Sequence, residues 1–396
     1  MNEKKSVALI CYDNPFLKPR EGGKIGIMSR INSLSMLDDC IVDVYLLNKK
    51  AEGMVQEFPD MPNIRKFYQY KMNGGIGTLF GRFPICTNKR YCTALIKQLE
   101  DKQYDFAIYE GLQVGKYRLK NKVNAKKHIL YFHDIESNYR YELAKSQKNL
   151  VKKLANMMES KKFKTLEKQV AKYFDYFWFV SKEECDTFSK YMNITSEKAL
   201  YIPFPMGKIN DKIASGENRK QLLYVGDLSL ENNISSLLWF VKNVFVELKK
   251  QFNDLQFVII GKIKDETKQK FNFDGVEVLG YVPDIEKYYD ESCFVASPVL
   301  FGAGVKVKII DALSHGQIVV STKKGIEGTE LTESDLIFSD DADVLVKKCS
   351  AVISDRDSYK YISENALNFV KENHSNANQA KLINKTFLYL QSQKEK

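Results

Sequence analysis

Short runs of β-branched and aromatic residues alternate with stretches of helical periodicity along the whole chain. In the first half, apolar runs at 7–11, 42–47, 106–109, 128–132, 177–180 and 199–202 predict strands, each too short for a buried helix. A break at Pro203-Phe-Pro-Met-Gly207 and a polar stretch at 210–220 interrupt the alternation, which restarts at 222–225. Further strands are expected at 257–260, 276–279, 294–296, 318–321 and 336–338, separated by helices near 230–250, 283–291 and 306–314. Strands alternating with helices are the pattern of parallel βαβ units, so the expected fold class is α/β, with two Rossmann-like doubly wound parallel-sheet domains. The expected division is 1–207 and 208–375, with 210–220 read as the linker. Residues 377–392 are helical in pattern and no strand follows them, so this terminal segment (376–396) is expected to pack back on the first domain. Two such domains imply a cleft, and ligands of open parallel sheets collect beyond the carboxyl ends of the strands.

Length agrees with this division, because 396 residues exceed what one hydrophobic core usually serves. The 44% hydrophobic and 28% charged fractions exclude a disordered or fibrous class. Seven scattered cysteines, in no CxxC or Cys/His spacing, read as reduced thiols, and no cofactor or metal is expected to depend on them. The apolar segment at 6–12 is too short for a signal peptide, and no run approaches the roughly 18 apolar residues of a spanning helix. A cytoplasmic protein is expected.

Charge is uneven. The net charge is +10, but residues 1–200 carry 35 Lys and Arg against 23 Asp and Glu, whereas residues 201–396 carry 25 against 27. Such asymmetry marks one domain that meets an anionic partner. Its densest part is 139–172, where Leu143, Leu150, Leu154, Met157, Leu166 and Val170 recur at helical spacing among Lys145, Lys148, Lys152, Lys153, Lys161, Lys162, Lys164 and Lys168. This predicts one or two basic amphipathic helices, read either as packed helices with a solvated lysine face or as a contact for an anionic membrane surface. No spacing of a nucleic-acid reader motif is present, so no nucleic-acid partner is expected.

The segment richest in chemistry is 297–316. Gly302 and Gly304 free the backbone at a strand-to-helix turn, Lys306 and Lys308 follow in the first helical turn, and Asp311 lies on the same helix. Loop amides and a helix N-terminus attract phosphate oxygens, lysines neutralise charge, and a carboxylate accepts from a ribose diol. A nucleotide diphosphate fits this arrangement, and a glycine turn that serves only helix packing fits it too.

This segment resembles the signature of the retaining "group 1" glycosyl transferases of family four: Ser297-Pro298, the glycine turn, Lys308, Asp311-Ala-Leu313, Gly316 and then a strand leading to Gly325-Ile-Glu-Gly328. Leu222-Leu-Tyr-Val-Gly-Asp227 with Asn232, Phe257-Val-Ile-Ile-Gly261 and Leu279-Gly-Tyr-Val-Pro-Asp284 resemble other parts of the family's donor domain. The resemblance implies the GT-B fold, two domains facing a cleft, and transfer of a sugar from a UDP- or GDP-sugar without metal. It places donor binding at Gly226, Asp227, Asn232, Gly261, Pro283, Gly302, Gly304, Val305 and Lys306, and catalysis at Lys308, Asp311 and His133.

In the first half, Pro19-Arg-Glu-Gly-Gly23 and His133-Asp-Ile-Glu136 are similar to the family's early glycine loop and its His-Asp-x-Glu segment. They imply an acceptor or cleft role for Gly22, Gly23, Asp134 and Glu136. Glu136 reads first as a solvated loop carboxylate and, alternatively, as an acid or base. Three departures stand out: Ala303 replaces the earlier of two acidic residues, Asp227 stands where many members have Arg and Lys, and Phe204-Pro-Met-Gly207 replaces an Asn-Gly. The acceptor is expected to be a saccharide or a lipid-linked saccharide used in surface polysaccharide assembly, with the protein peripheral on the inner face of the cell membrane. A non-catalytic binding subunit and a nucleotide-sugar epimerase on the same scaffold remain open alternatives.

Overall fold

The computed structural model describes residues 4–17, 22–49, 55, 57–147, 149–302 and 304–393. Residues 19–21 of the early glycine loop, Lys148 and Ala303 lie outside the described residues. The chain forms two compact units, one of Met1–Gly207 with Asn376–Lys396 and one of Lys208–Ser375.

The first unit is built on seven parallel strands: β1 (Lys5–Cys11), β2 (Cys40–Asn48), β3 (Ile64–Lys71), β4 (Gln103–Glu110), β5 (Asn124–Phe132), β6 (Tyr176–Phe179) and β7 (Ala199–Tyr201), in the order β3-β2-β1-β4-β5-β6-β7. The central strands are buried on both faces, as parallel sheets covered by helices must be, and Leu9 of β1 sits in register with Val44 of β2 and Ile108 of β4. The order reverses between β1 and β4, which places a crevice at their carboxyl ends, in front of the helix Gly22–Ser35. The sequence pattern gives no sign of β3. It is an edge strand reading IRKFYQYK, half exposed, and its Arg65 forms an ion pair with the buried Asp43 of β2 at 2.6 Å.

The terminal helix Asn376–Ser392 packs on the helix Gly22–Ser35. Phe387 stacks on Phe106 of β4 at 4.2 Å, and the Trp178 indole donates to Thr386 at 3.1 Å, so a buried polar pair and an aromatic pair fix this helix to the sheet.

The basic stretch folds as two helices, Glu136–Ser146 and Leu150–Tyr173, the second started by the Asn149 side chain accepting from the Lys152 amide. Only the later half of the second helix enters the core, through Phe163, Leu166, Glu167 and Val170. Leu150 and Leu154, predicted on an apolar face, are instead exposed, 73% and 61%.

The second unit has six parallel strands: β8 (Asn218–Val225), β9 (Gln256–Ile260), β10 (Val276–Gly280), β11 (Ser292–Ala296), β12 (Val319–Ser321) and β13 (Ile337–Phe338), ordered β10-β9-β8-β11-β12-β13. Its reversal lies between β8 and β11. Residues 231–251 run as one continuous helical stretch whose middle, Val241–Phe245, is a π turn. The stretch read as a linker is bound into this unit. Asn218–Lys220 open β8, the Asn210 amide donates to the Ser314 carbonyl at 2.8 Å, and the buried Arg356 donates to the carbonyls of Ala214 and Ser215. The polar composition of 210–220 reflects these hydrogen bonds to carbonyls and turns rather than a solvated tether.

Candidate functional site

In the second unit the loops after β8 and β11 meet at the reversal of strand order. The amide of Gly226 donates to the Ile260 carbonyl at 3.0 Å, and Gly261, at φ +145°, lies so close that a β-carbon there would stand 1.8 Å from the Gly226 carbonyl oxygen. Gly261 is thus required by the backbone contact itself, whereas a β-carbon at Gly226 would stand 2.6 Å from the Tyr224 hydroxyl. The loop then turns through Asp227, whose Oδ1 accepts from the Ser229 amide at 2.8 Å and whose carbonyl accepts from the Asn233 side chain at 2.8 Å.

Asn233 is the link to the second loop. Its Oδ1 accepts from Lys308 Nζ at 3.2 Å, and the Lys308 ammonium stands 5.2 Å from the centre of the Tyr224 ring, whose buried hydroxyl has no hydrogen-bond partner among the described residues. Lys308 therefore has two neutral partners, the Asn233 amide and, at 3.5 Å, the Pro298 carbonyl, and an aromatic face, but no carboxylate among the described residues. Burial first, and the charge of Lys306 second, lower its pKa to about 8. Lys306 donates to the Gly304 carbonyl. Gly302 and Gly304 take φ +113° and +73°, conformations that suit glycine, and Gly302 lies beside the Asn232 amide group. Ser236 Oγ accepts from the Leu300 amide at 3.0 Å, tying this turn to the helix that begins at Glu231.

The structure thus brings Gly226, Asp227, Asn232, Gly261, Gly302, Gly304, Val305, Lys306 and Lys308 to the carboxyl ends of β8, β9 and β11. Asp311 is one helical turn further on and forms no ion pair with Lys308. Its Oδ2 accepts from the Tyr289 hydroxyl at 2.9 Å, and burial raises its pKa while His315 and that hydrogen bond pull it down. Tyr289 stacks on His315 at 4.0 Å, and the His315 imidazole stands 3.5 Å from Glu286. Pro283 lies exposed in the turn ahead of the helix Glu286–Glu291.

In the first unit, His133 follows β5 and faces the reversal point. Its Nε2 is hydrogen-bonded to Glu110 Oε1 at 3.0 Å, and its ring meets the edges of Tyr12 at 5.5 Å and Tyr131 at 5.0 Å. Glu110 ends β4 with its side chain wholly buried, and its Oε2 stands 3.4 Å from Nε of the equally buried Arg30. Arg30 in turn lies 3.9 Å over the Tyr131 ring. Gly23 sits against Tyr12, where a β-carbon would stand 2.0 Å from the hydroxyl, and neighbouring Gly22 opens the same helix. Glu136, first residue of its helix, accepts from the Gln113 amide, with Arg140 at 4.0 Å; burial raises its pKa against the pull of Arg140, Arg90 and His133. Glu136 is therefore a largely covered carboxyl, its side chain 14% exposed, and not a solvated one. Asp134 is half-buried between these groups in the chain.

Sequence reasoning missed Tyr224, Asn233 and Tyr289 in the second unit and Tyr12, Arg30, Arg90 and Glu110 in the first. A signal existed for Glu110 alone: a carboxylate closing an otherwise apolar strand, at the end where parallel sheets bind ligands.

Among the described residues no group of three or more His, Cys, Asp or Glu is placed to hold a metal ion, and no helix is long and apolar enough to cross a membrane.

Residues 219–355 match the family model described as glycosyl transferases group 1. Over 382 residues the chain is 26% identical to an uncharacterized 44.6 kDa protein in the cps region of Klebsiella pneumoniae, covering 93% of this chain and 96% of that one. The fold is similar to that of HepE from Anabaena, solved with UDP and glucose, at a TM-score of 0.65 and 13% identity over 98% of this chain and 100% of that one. It is also similar to that of sucrose-phosphate synthase from Thermosynechococcus elongatus, at a TM-score of 0.68 and 14% identity over 98% and 100% of the two chains.

Proposed function

We propose that this protein is a glycosyltransferase that moves a sugar, with retention, from a nucleoside diphosphate sugar, a reading supported by the match of residues 219–355 to the group 1 glycosyl transferases and by the two parallel-sheet units. The observation that carries the donor assignment is Lys308, a half-buried ammonium with no carboxylate partner among the described residues, held at the glycine turn by Asn233 and Tyr224. A diphosphate leaving group gains negative charge as the sugar departs. Lys308, Lys306 and the turn amides are preorganised to receive that charge, which is how electrostatic catalysis lowers a barrier. Asp311, aligned by Tyr289, is read as the ribose acceptor, and His133, fixed by Glu110, as a hydrogen-bonding group for the donor sugar. UDP is the first candidate nucleotide, since HepE was solved with it.

Calorimetric titration of the protein with UDP, GDP and ADP tests this reading. One nucleotide should bind selectively, with Asp311→Ala weakening it about tenfold, the loss of one charge-assisted hydrogen bond of roughly 1.4 kcal/mol. If no nucleotide binds, the non-catalytic alternative takes its place.

We assign the product to surface polysaccharide assembly, a reading supported by the relative in the cps region. The basic first unit is read as meeting an anionic membrane surface. The protein should then sediment with anionic vesicles at low salt and be released as salt screens the lysines; failure to sediment at low salt removes the membrane part of the proposal.

A further inference from the structure

The first unit contains a cavity of about 540 Å³ that lies outside the residues implied by the family resemblance. Its charged lining is Lys49, Lys89, Arg90, Arg140 and Glu159. The carboxylate is already satisfied: Glu159 forms an ion pair with Lys162 at 3.0 Å and accepts from the Ile85 amide at 2.9 Å. The four cations outnumber it, and the carboxylates that two of them meet, Glu136 and Asp13, are not part of the lining. Among the described residues Arg90 hydrogen-bonds only to carbonyl oxygens, of Tyr12 at 2.7 Å and Cys86 at 3.2 Å, and forms no ion pair. Arg140 has a buried Nε without a hydrogen-bond partner and stands 4.0 Å from Glu136, and Lys49 stands 3.7 Å from Asp13. Lys89 is exposed at the end of the helix Ile85–Arg90 and makes no ion pair among the described residues. Guanidinium and ammonium groups converging on a concave site are the chemistry of phosphate recognition.

Two segments that contribute to the lining carry exposed apolar side chains beyond it. The helix that supplies Glu159 exposes Leu150, Val151 and Met158, the second of them 76%. The loop that lines the cavity through Asn73 and Gly74 continues into Ile76 and Phe80, exposed 77% and 70%. Exposed apolar side chains on the segments that line one cationic cavity mark an interaction site rather than ordinary surface. The cavity also touches the His133 cluster, since Arg90 holds the Tyr12 carbonyl and Arg140 faces Glu136.

We propose that this cavity binds the phosphate or diphosphate of a lipid-linked acceptor, with the lipid lying along the exposed apolar segments and the acceptor hydroxyl directed to the His133 side. This rests on the glycosyltransferase reading and adds to it the chemical class of the acceptor.

Titration of the full chain with farnesyl diphosphate, inorganic pyrophosphate and farnesol, each followed by UDP, tests the proposal. Farnesyl diphosphate should bind at least about tenfold tighter than either part alone. Lys89→Glu should weaken both phosphate ligands by about tenfold, the effect of roughly one charged contact, while UDP affinity, which reports an intact fold and donor site, stays unchanged. Leu150→Ser with Val151→Ser should weaken farnesyl diphosphate alone. Lys308→Ala should leave farnesyl diphosphate binding intact. Pyrophosphate binding as tightly as farnesyl diphosphate would make this a free-phosphate site and overturn the lipid assignment. Unchanged binding in Lys89→Glu, or loss of binding in Lys308→Ala, would overturn the cavity itself. Absence of farnesyl diphosphate binding to the unaltered protein, with UDP still bound, sinks only the acceptor class; failure of UDP to bind the unaltered protein sinks the transferase reading and the acceptor role together.

Discussion

Replacing Lys308 with alanine is expected to lower the turnover of sugar transfer by about 10²–10³-fold, the usual effect of removing one preorganised group from a developing negative charge. The ammonium is held by Asn233 at 3.2 Å and lies 5.2 Å from the Tyr224 ring centre, so it needs no reorganisation when the diphosphate leaves. Donor affinity should fall less than turnover, because the glycine-turn amides still meet the ground-state diphosphate while the added charge of the transition state goes unanswered. The pH profile gives an independent check. Burial and Lys306 lower the pKa of Lys308 to about 8. A lysine is active here as the ammonium, so kcat/KM for the donor should be level below about pH 8 and fall as pH rises through that value. A bound diphosphate favours the ammonium, so the corresponding fall in kcat should come at higher pH. Lys308→Arg should lose the alkaline limb because guanidinium stays charged. Turnover in Lys308→Ala within about threefold of the unaltered protein, far short of the loss expected for such a group, would remove Lys308 from the chemistry.

The fold was legible where burial is two-sided. Apolar runs such as 7–11 and 257–260 announce themselves, because a strand covered on both faces has no polar positions to interrupt it. β3 was not legible, because an edge strand with Arg65 and Lys66 on its exposed positions has the composition of a loop. The same limit applies to the sites. Gly302, Gly304, Lys306 and Lys308 lie within one segment and can be read as a unit, whereas Asn233 reaches Lys308 across 75 residues and acquires its role only when β8 and β11 become neighbours. Glu110, Arg30 and His133 come from three separate elements, and nothing local distinguishes Arg30 from an ordinary helix arginine. Leu150 and Leu154 show the converse: helical spacing gave them an apolar stripe, but the helix runs past the core before that stripe can be covered.

Glu110→Gln is expected to destabilise the first unit by about 3–5 kcal/mol, the cost of leaving a buried charge without its partner. Arg30 and Glu110 are both fully buried, 3.4 Å apart, and the guanidinium has no hydrogen-bond acceptor among the described residues; only the faces of Tyr131 and, at 5.4 Å, Trp178 otherwise answer its charge. Glutamine is close in shape but neutral, so the cation would remain in the core opposite a dipole. At about 2–4 °C per kcal/mol for a domain of this size, the thermal midpoint should fall by roughly 10 °C. Arg30→Met should destabilise comparably, because it strands the carboxylate, whereas the double change Arg30→Met with Glu110→Met should be milder than the sum, since matched apolar replacement removes both desolvated charges at once. The side-chain oxygen of the introduced glutamine can still accept from His133 Nε2, so transfer per folded molecule should fall less in Glu110→Gln than in His133→Ala. That separation distinguishes a charge pair that holds the fold from one that acts in transfer. Additive single and double changes, or a Glu110→Gln protein within about 1 kcal/mol of the original, would show that the aromatic faces and backbone dipoles carry Arg30 without the carboxylate.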